Sequence, residues 1–271
     1  MILAAAGLAL ANAGADEVLV STPLNVAKAY GVAGAVLWLA ADSGVTLDGE
    51  GRVAVLADET GNFELRPTHF GPAPLLVAKA LHGRPVFRFD GNQALYTADG
   101  FADGLDHDMT FIIVGLTNGD PYNLEYPLYL GGNATTGANR AMGIFEGKEM
   151  FDGQWVACLG EPALKHAFVV SGISINAGLT QACFYRNGKL ITSSGLDPRN
   201  GGNKFGPLSG DITMGAATDP VRGWNGDIAE EIVYNRQLTP AEMQTIWTAL
   251  SAKYGLPETP AASATNAAIR K

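Results

Sequence analysis

Cysteine, histidine and positive charge are all scarce in this chain of 271 residues. The two cysteines, Cys158 and Cys183, sit in the apolar runs "QWVACL" and "TQACFYRNG", with no Cys-x-x-Cys or Cys/His spacing. That argues against a zinc module, and both are expected to be buried free thiols rather than a disulfide. The four histidines, His69, His82, His107 and His166, are scattered and form no ligand pattern. Lys and Arg total 18 against 27 Asp and Glu, a net charge of −9. Without a basic cluster, nucleic acid is not expected as a partner. Long hydrophobic runs are also missing: none reaches the roughly 18–20 residues that span a bilayer. The opening "MILAAAGLALANAGADEV" imitates a signal peptide, with "ANA" at Ala11–Ala13, but lacks a basic leading region. It is expected to stay part of the working protein.

What the chain does have is glycine, 34 of them, and a 47% hydrophobic content. From about residue 35 to 236, short apolar runs alternate with Gly, Asn, Asp and Pro clusters: "RVAVLAD", "RPVFRFDG", "MTFIIVGL", "HAFVVSGISI", "DITMGAA". Many short strands at this spacing predict an all-β antiparallel sandwich or barrel. In "CFYRNGKLITS", Asn187-Gly188 supplies the positive φ angles of a type I′ turn, which predicts a hairpin. "MTFIIVGL" (Met109–Leu116) is apolar at every alternation and should be a central strand covered on both faces. One helix is predicted near the end. Thr239 is the N-cap, Pro240 the first helical residue, and Glu242 completes a capping box. Met243, Ile246, Trp247, Leu250 and Tyr254 form a stripe that packs on the sandwich, and Gly255 closes the helix. Residues 1–33 read as an N-terminal arm, 34–256 as the sandwich domain, and 257–271 as a tail of linker composition.

Two adjacent carboxylates, Glu230 and Glu231, stand inside the strand-like run "NGDIAEEIVY". Side chains alternate across a strand, so Ile228, Glu230, Ile232 and Tyr234 should share one face, and Ala229, Glu231 and Val233 the other. Retaining glycosidases need carboxyl groups roughly 5–5.5 Å apart on one side of the sugar, which neighbouring strand positions do not supply. One glutamate is expected to face solvent or a partner. The other, if buried, needs a donor, with Arg236 or Arg222 as candidates. Neither a G-x-S-x-G run nor a phosphate-binding glycine loop is present.

Four segments carry a family resemblance: "AVLWLAADSGVTLDGEGRVAVLADETGN", "GRPVFRFDGNQALYT", "FYRNGKLITSS" and "GWNGDIAEEIVYNRQLTPAEMQTIWTALSAKYGL". On them, the chain resembles the concanavalin A-like jelly-roll domains of the laminin-G-like group over about residues 35–256. The resemblance implies two curved antiparallel sheets. It also implies a role as a carbohydrate- or protein-binding module, an accessory part of a hydrolase, or a phage structural protein. Glu231 departs from the pattern, where an apolar residue is usual. The sandwich glucanases of the same superfamily carry a Glu-x-Asp-x-Glu or Glu-x-Asp-x-x-Glu strand, and this chain has no such run.

Binding candidates come from the loop "TNGDPYNLEYPLYLGGNATTGANR", where Asp120, Tyr122, Asn123, Tyr126 and Asn133 combine aromatic rings with amides suited to a sugar or a protein interface. Trp224 and Asn225, before the last strand, form a second candidate pair. No cofactor is expected. Calcium is the one open possibility, because related domains hold it through loop oxygens and "GFADGLDHD" gathers Asp103, Asp106 and Asp108. The reading is a non-enzymatic structural or attachment protein of a large assembly, a phage virion protein of the decoration, fibre or tail type. It is expected to be homo-oligomeric, to contact other virion proteins through its arm and tail, and to meet cell-surface glycan. The alternative is a secreted, extracellular carbohydrate-binding protein.

Overall fold

The computed structural model describes residues 24–68, 71–97, 108–119, 124–131, 139–153, 156–176, 181–194, 211–217 and 222–257. Two antiparallel sheets, each of nine strands among the described residues, face one another. The first runs β1 (Ala27–Ala29), β2 (Val32–Ala40), β18 (Asn225–Tyr234), β9 (Met109–Thr117), β14 (Val169–Ile175), β15 (Ala182–Arg186), β16 (Lys189–Ser194). The hairpin β6 (Leu75–Leu81) and β7 (Arg84–Asp90) joins it alongside the first half of β18. The second runs β13 (Val156–Pro162), β12 (Lys148–Gly153), β11 (Asn139–Phe145), β10 (Leu124–Gly131), β17 (Ile212–Met214), β8 (Leu95–Thr97), β5 (Glu64–Pro67), β4 (Val53–Ala57), β3 (Val45–Leu47). The fold class expected from the sequence is the one observed. Residues 27–29 and 32–33, from the segment read as an arm, pair within the first sheet.

Alternation explains how this sheet is covered twice. Phe111 and Ile113 of β9 enter the core between the sheets, while Ile112 and Val114 point to the opposite face. There they meet α1 (Pro240–Tyr254), whose Met243, Ile246, Trp247, Leu250 and Tyr254 are all buried. The helix begins and ends as its sequence dictates. Thr239 and Glu242 form a complete capping box, and Gly255 takes the left-handed conformation at φ 63°. Asn187 and Gly188 turn β15 into β16 with φ angles of 50° and 76°, as a type I′ turn requires. Among the described residues no helix is long and apolar enough to cross a membrane. Cys183 is a half-buried free thiol, and the side chain of Cys158 lies outside what the structure describes.

The glutamate strand departs from simple alternation at one point. Ile228 pairs with Gly115 and Glu230 with Val114, so Ala229 is an extra residue bulged out of the β18–β9 ladder. Its carbonyl is taken up instead by the Ala41 amide at 2.9 Å. The bulge exchanges the expected faces of Ile228 and Ala229: Ile228 enters the inter-sheet core and Ala229 the helix side. Beyond it alternation resumes. Glu230, opposite Val114, lies on the helix side, and Glu231, opposite Ile113 and Leu39, lies on the core side. The two carboxylates thus sit on opposite faces, but the expectation that one meets solvent is corrected, because both are fully buried.

Candidate functional site

Glu230 is enclosed by donors. It accepts from Tyr30 Oη at 2.7 and 2.9 Å, Tyr254 Oη at 2.7 Å, Lys253 Nζ at 2.8 Å and Trp38 Nε1. These tie β18 to the end of α1 and to the β1–β2 turn. Burial first, and then the Glu230 charge, push the Tyr30 and Tyr254 phenols far up, so both remain donors. Neither expected donor, Arg236 or Arg222, is among the groups that reach Glu230; Arg236 instead clamps Glu242 at 2.7 and 3.0 Å. Among the described residues Glu231 has no hydrogen-bond partner on either oxygen, and burial pushes its carboxyl well above the usual range. Neither residue lines the cleft described next.

A cavity does lie between the sheets. One lobe, narrow and with a cavity volume of about 30 Å³, is lined from the first sheet by Ile113, Gly115 and Thr117 of β9 and by Val169 and Ser171 of β14. From the second sheet come Pro127, Met142, Gly143, Ile144 and Glu149, with Ala163, Leu164 and Trp224 completing the wall. A smaller lobe, of about 10 Å³, shares Thr117, Ile144 and Ala163 and adds Glu125, Lys165 and the residues on either side of 120–123, Gly119 and Leu124. Strand register sets the polar groups. Ile144 is paired with Glu125 on β10 and with Glu149 on β12, so the two glutamates flank it in one row on one sheet face. Two strand spacings put their Cα atoms about 10 Å apart.

Both carboxylates are nearly closed off from solvent, and each is held by the opposite sheet. Glu149 accepts from Ser171 Oγ at 3.0 Å and from Arg186 Nε at 3.3 Å, and Arg186 Nη2 stands 3.1 Å away as an ion pair. Burial raises its pKa, and Arg186 and Ser171 oppose the rise. Glu125 accepts from Thr117 Oγ1 at 2.8 Å and from the Asn225 backbone N–H at 3.2 Å. Trp224 is held in place by its own backbone, its N–H donating to Gly215 and its carbonyl accepting from Gly91. The residue before it must be glycine, because a Cβ at Gly223 would lie 2.0 Å from the Gly91 oxygen. The Trp224 side chain is 5% exposed, and among the described residues its Nε1 has no acceptor.

The sequence candidates divide accordingly. Trp224 and Asn225 do come to the cleft, Trp224 as wall and Asn225 through its backbone. The Asn225 side chain accepts from Asn118 at 3.2 Å. Tyr126 is corrected. Next to Glu125 on the strand, it faces the other way, is 1% exposed, donates to Asp152 at 2.7 Å and packs edge-on against Tyr129. It cannot stack on a sugar there. Asp120, Tyr122, Asn123 and Asn133 lie outside the described residues, as do Asp103 and Asp106. Asp108 is half-buried, and among the described residues no group of three metal-ligating side chains gathers. Glu125 and Glu149 were missed. Glu125 shows as a lone acid within the apolar strand "LEYPLYLG", but Glu149 shares "KEMFDG" with Lys148 and Asp152, and only the register of β10, β11 and β12 brings the two together.

No protein-family model matches the chain, and no curated protein matches it. Solved structures do. Trypanosoma rangeli sialidase is 14% identical, with a TM-score of 0.51 over 81% of this chain and 33% of its own. The botulinum neurotoxin type G receptor-binding domain is 13% identical, with a TM-score of 0.53 over 80% of this chain and 51% of its own. The binding domain of Paraclostridial Mosquitocidal Protein 1 is 14% identical, at 0.52 over 80% and 52%. The chain thus spans about a third of the sialidase and half of each toxin chain. At such identity the likeness is one of fold, the two-sheet antiparallel sandwich.

Proposed function

We propose that this chain is a non-catalytic recognition module, a lectin-like sandwich of the laminin-G-like kind that binds a glycan unit at the rim of the cleft between its sheets. The observation that carries this reading is the wall of that cleft. Two carboxylates, two hydroxyls and an unengaged indole N–H are set among aliphatic side chains, the mixture that polyols with alternating hydroxyl and C–H faces require. The acids are not arranged for bond cleavage. Glu230 and Glu231 face apart, and Glu125 and Glu149 are each engaged by donors of the protein itself. The names of the similar structures, a receptor-binding domain, a toxin binding domain and a sialidase, agree with recognition of an external ligand.

The setting we propose is a large assembly, a phage virion in which the sandwich is displayed as a decoration, fibre or tail component. The apolar arm and the linker-like tail would join it to neighbouring proteins and to further copies of itself. Mass spectrometry of purified particles tests the setting, and recovery of the protein only from culture medium would favour the secreted alternative. A glycan array tests the activity. Binding is expected with the full chain and is expected to fall by about tenfold or more in Glu149→Gln, which keeps the shape and loses a charged acceptor. Release of reducing sugar from the bound glycan, abolished by Glu125→Gln or Glu149→Gln, would overturn the non-catalytic reading.

A further inference from the structure

Between described residues, arginine makes every ion pair except the two of Lys253. A guanidinium keeps its proton, whereas an amine becomes a nucleophile once its proton is taken. Lys253 Nζ stands 3.0 Å from Asp42 Oδ1 and 2.8 Å from Glu230 Oε2. Water has little access to the three side chains, which are 18% exposed at Lys253, 20% at Asp42 and 0% at Glu230. Asp42 uses its other oxygen, Oδ2, to accept from Arg84 Nη1 at 2.8 Å. Glu230 is fixed through both oxygens by Tyr30, Tyr254 and Trp38. An amine is thus held against one carboxyl group that a cation polarises, beside a second that can carry its proton.

We propose that Lys253 and Asp42 condense into an amide, a covalent link from the end of β2 to the end of α1. The ion pair seen in the structure is the reactant. Glu230 takes a proton from the ammonium, and Nζ bonds to Asp42 Cγ. Charge gathers on Oδ2, where Arg84 stabilises it. Glu230 relays two protons in turn from Nζ to Oδ1, the Cγ–Oδ1 bond breaks, and water leaves. Glu230 ends as it began, and no other reactant is needed. The product keeps the surrounding bonds: the amide N–H donates to Glu230, and the carbonyl accepts from Arg84. Contact between the partners replaces a bimolecular encounter by an effective concentration of roughly 10⁵–10⁸ M, which brings a reaction that free side chains do not undergo within reach. Glu230 is not the acyl partner, because losing either of its oxygens would strip a phenol or the indole of an acceptor. The link closes the chain from 42 to 253 into a ring and fastens α1 to the sheet, which suits a module displayed outside an assembly.

The test is mass spectrometry of the full chain, incubated folded at neutral pH and then denatured. The expected mass is that of the sequence less one water. A succinimide at Asp42-Ser43 has the same mass, so trypsin decides between them. The link prevents cleavage after Lys253 and joins its peptide to residues 29–52. Lys253→Arg keeps a cation between the two carboxylates and should lose no water. Glu230→Gln keeps an acceptor but relays no proton, and should slow the linkage by about tenfold or more. If that variant does not fold, Arg84→Gln is timed instead and should slow it by about tenfold, since the charge on Oδ2 then lacks its cation. Full mass, with cleavage after Lys253, would overturn the proposal. Loss of water on an unbranched peptide would overturn it as well. A branch to Glu230 in place of Asp42, or linkage at the wild-type rate in Glu230→Gln and Arg84→Gln, would overturn the roles assigned to the three side chains.

Discussion

Glu230 and Glu231 are the same residue type, adjacent in the chain and both 0% exposed, yet among the described residues one is held by four side chains and the other by none. The difference comes from the pleat. One face of β18 looks toward the helix, where Tyr30, Trp38, Lys253 and Tyr254 converge from three elements. The opposite face looks into the inter-sheet core, where Leu39 and Ile113 flank Glu231 on the neighbouring strands. Burial by itself therefore does not predict what an acid contributes. A buried carboxylate surrounded by donors fixes elements to one another, whereas one among aliphatic groups is a standing penalty unless it takes up a proton.

The largest expected effect follows from breaking the donor-rich side. Glu230→Ala leaves an ammonium, two phenols and an indole N–H converging on nothing, and should lower stability by about 3–5 kcal/mol. Urea denaturation measures it, and a loss below about 1 kcal/mol would show that the cluster does not hold α1 to the sheet. The opposite sign is expected next door. Glu231→Met keeps the length of the side chain and removes two unsatisfied oxygens, so it should raise stability at neutral pH by about 1–3 kcal/mol. A destabilised Glu231→Met would mean that the carboxyl has a partner.

Proton linkage sharpens the same contrast. The folded-state pKa of Glu231 is raised above its unfolded value, near 4.3 for an ordinary glutamate, so the folded chain holds its proton longer. Its contribution is then complete below the unfolded pKa and declines as pH rises from there toward the folded pKa, by up to about 1.4 kcal/mol per pH unit. Asp58, Glu149 and Asp152 are raised as well, chiefly by burial, but they are common to the wild type and Glu231→Met and cancel in the difference. The advantage of Glu231→Met should be smallest near pH 4 and grow toward pH 7. A difference that does not change with pH would show that Glu231 is not the group that titrates.

Much of this architecture was legible in the residues. The capped helix and the Asn187-Gly188 hairpin are local, because a few neighbouring side chains and two positive φ angles decide them. The both-sided burial of Met109–Leu116 was legible from its unbroken apolar run. Three things were not. The bulge at Ala229 depends on which carbonyl Ala41 finds. The donors around Glu230 come from positions 23 to 200 residues away, so Arg236, close in sequence, was the natural but wrong choice. Glu125 and Glu149 lie on strands separated by a third, and their common face is a matter of register. Tyr126 shows the same limit in reverse: an aromatic beside asparagines looked like a sugar platform, yet alternation from Glu125 turns its ring into a separate buried cluster.

The smallest effect expected concerns how far the Glu230 network extends. Lys253 bridges inward to Glu230 at 2.8 Å and outward to Asp42 at 3.0 Å, and Asp42 in turn meets Arg84 at 2.8 Å. Exposure grows along this path, from 0% at the Glu230 side chain to 18% at Lys253 and 42% at Arg84. Coulomb attraction weakens with it, because water reaches the outer pair and salt screens it. Lys253→Met should therefore lower stability by about 1.5–3 kcal/mol, since it removes a charged donor from a closed site. Arg84→Gln should lower it by less than about 1 kcal/mol, and the share due to the Asp42 pair should vanish at high salt, leaving only the bond from Arg84 Nε to the Lys253 carbonyl. If Arg84→Gln matched Lys253→Met, the outer pair would be part of the lock. The contrast between the two faces of β18 would then rest on the whole chain of charges rather than on the four donors that touch Glu230.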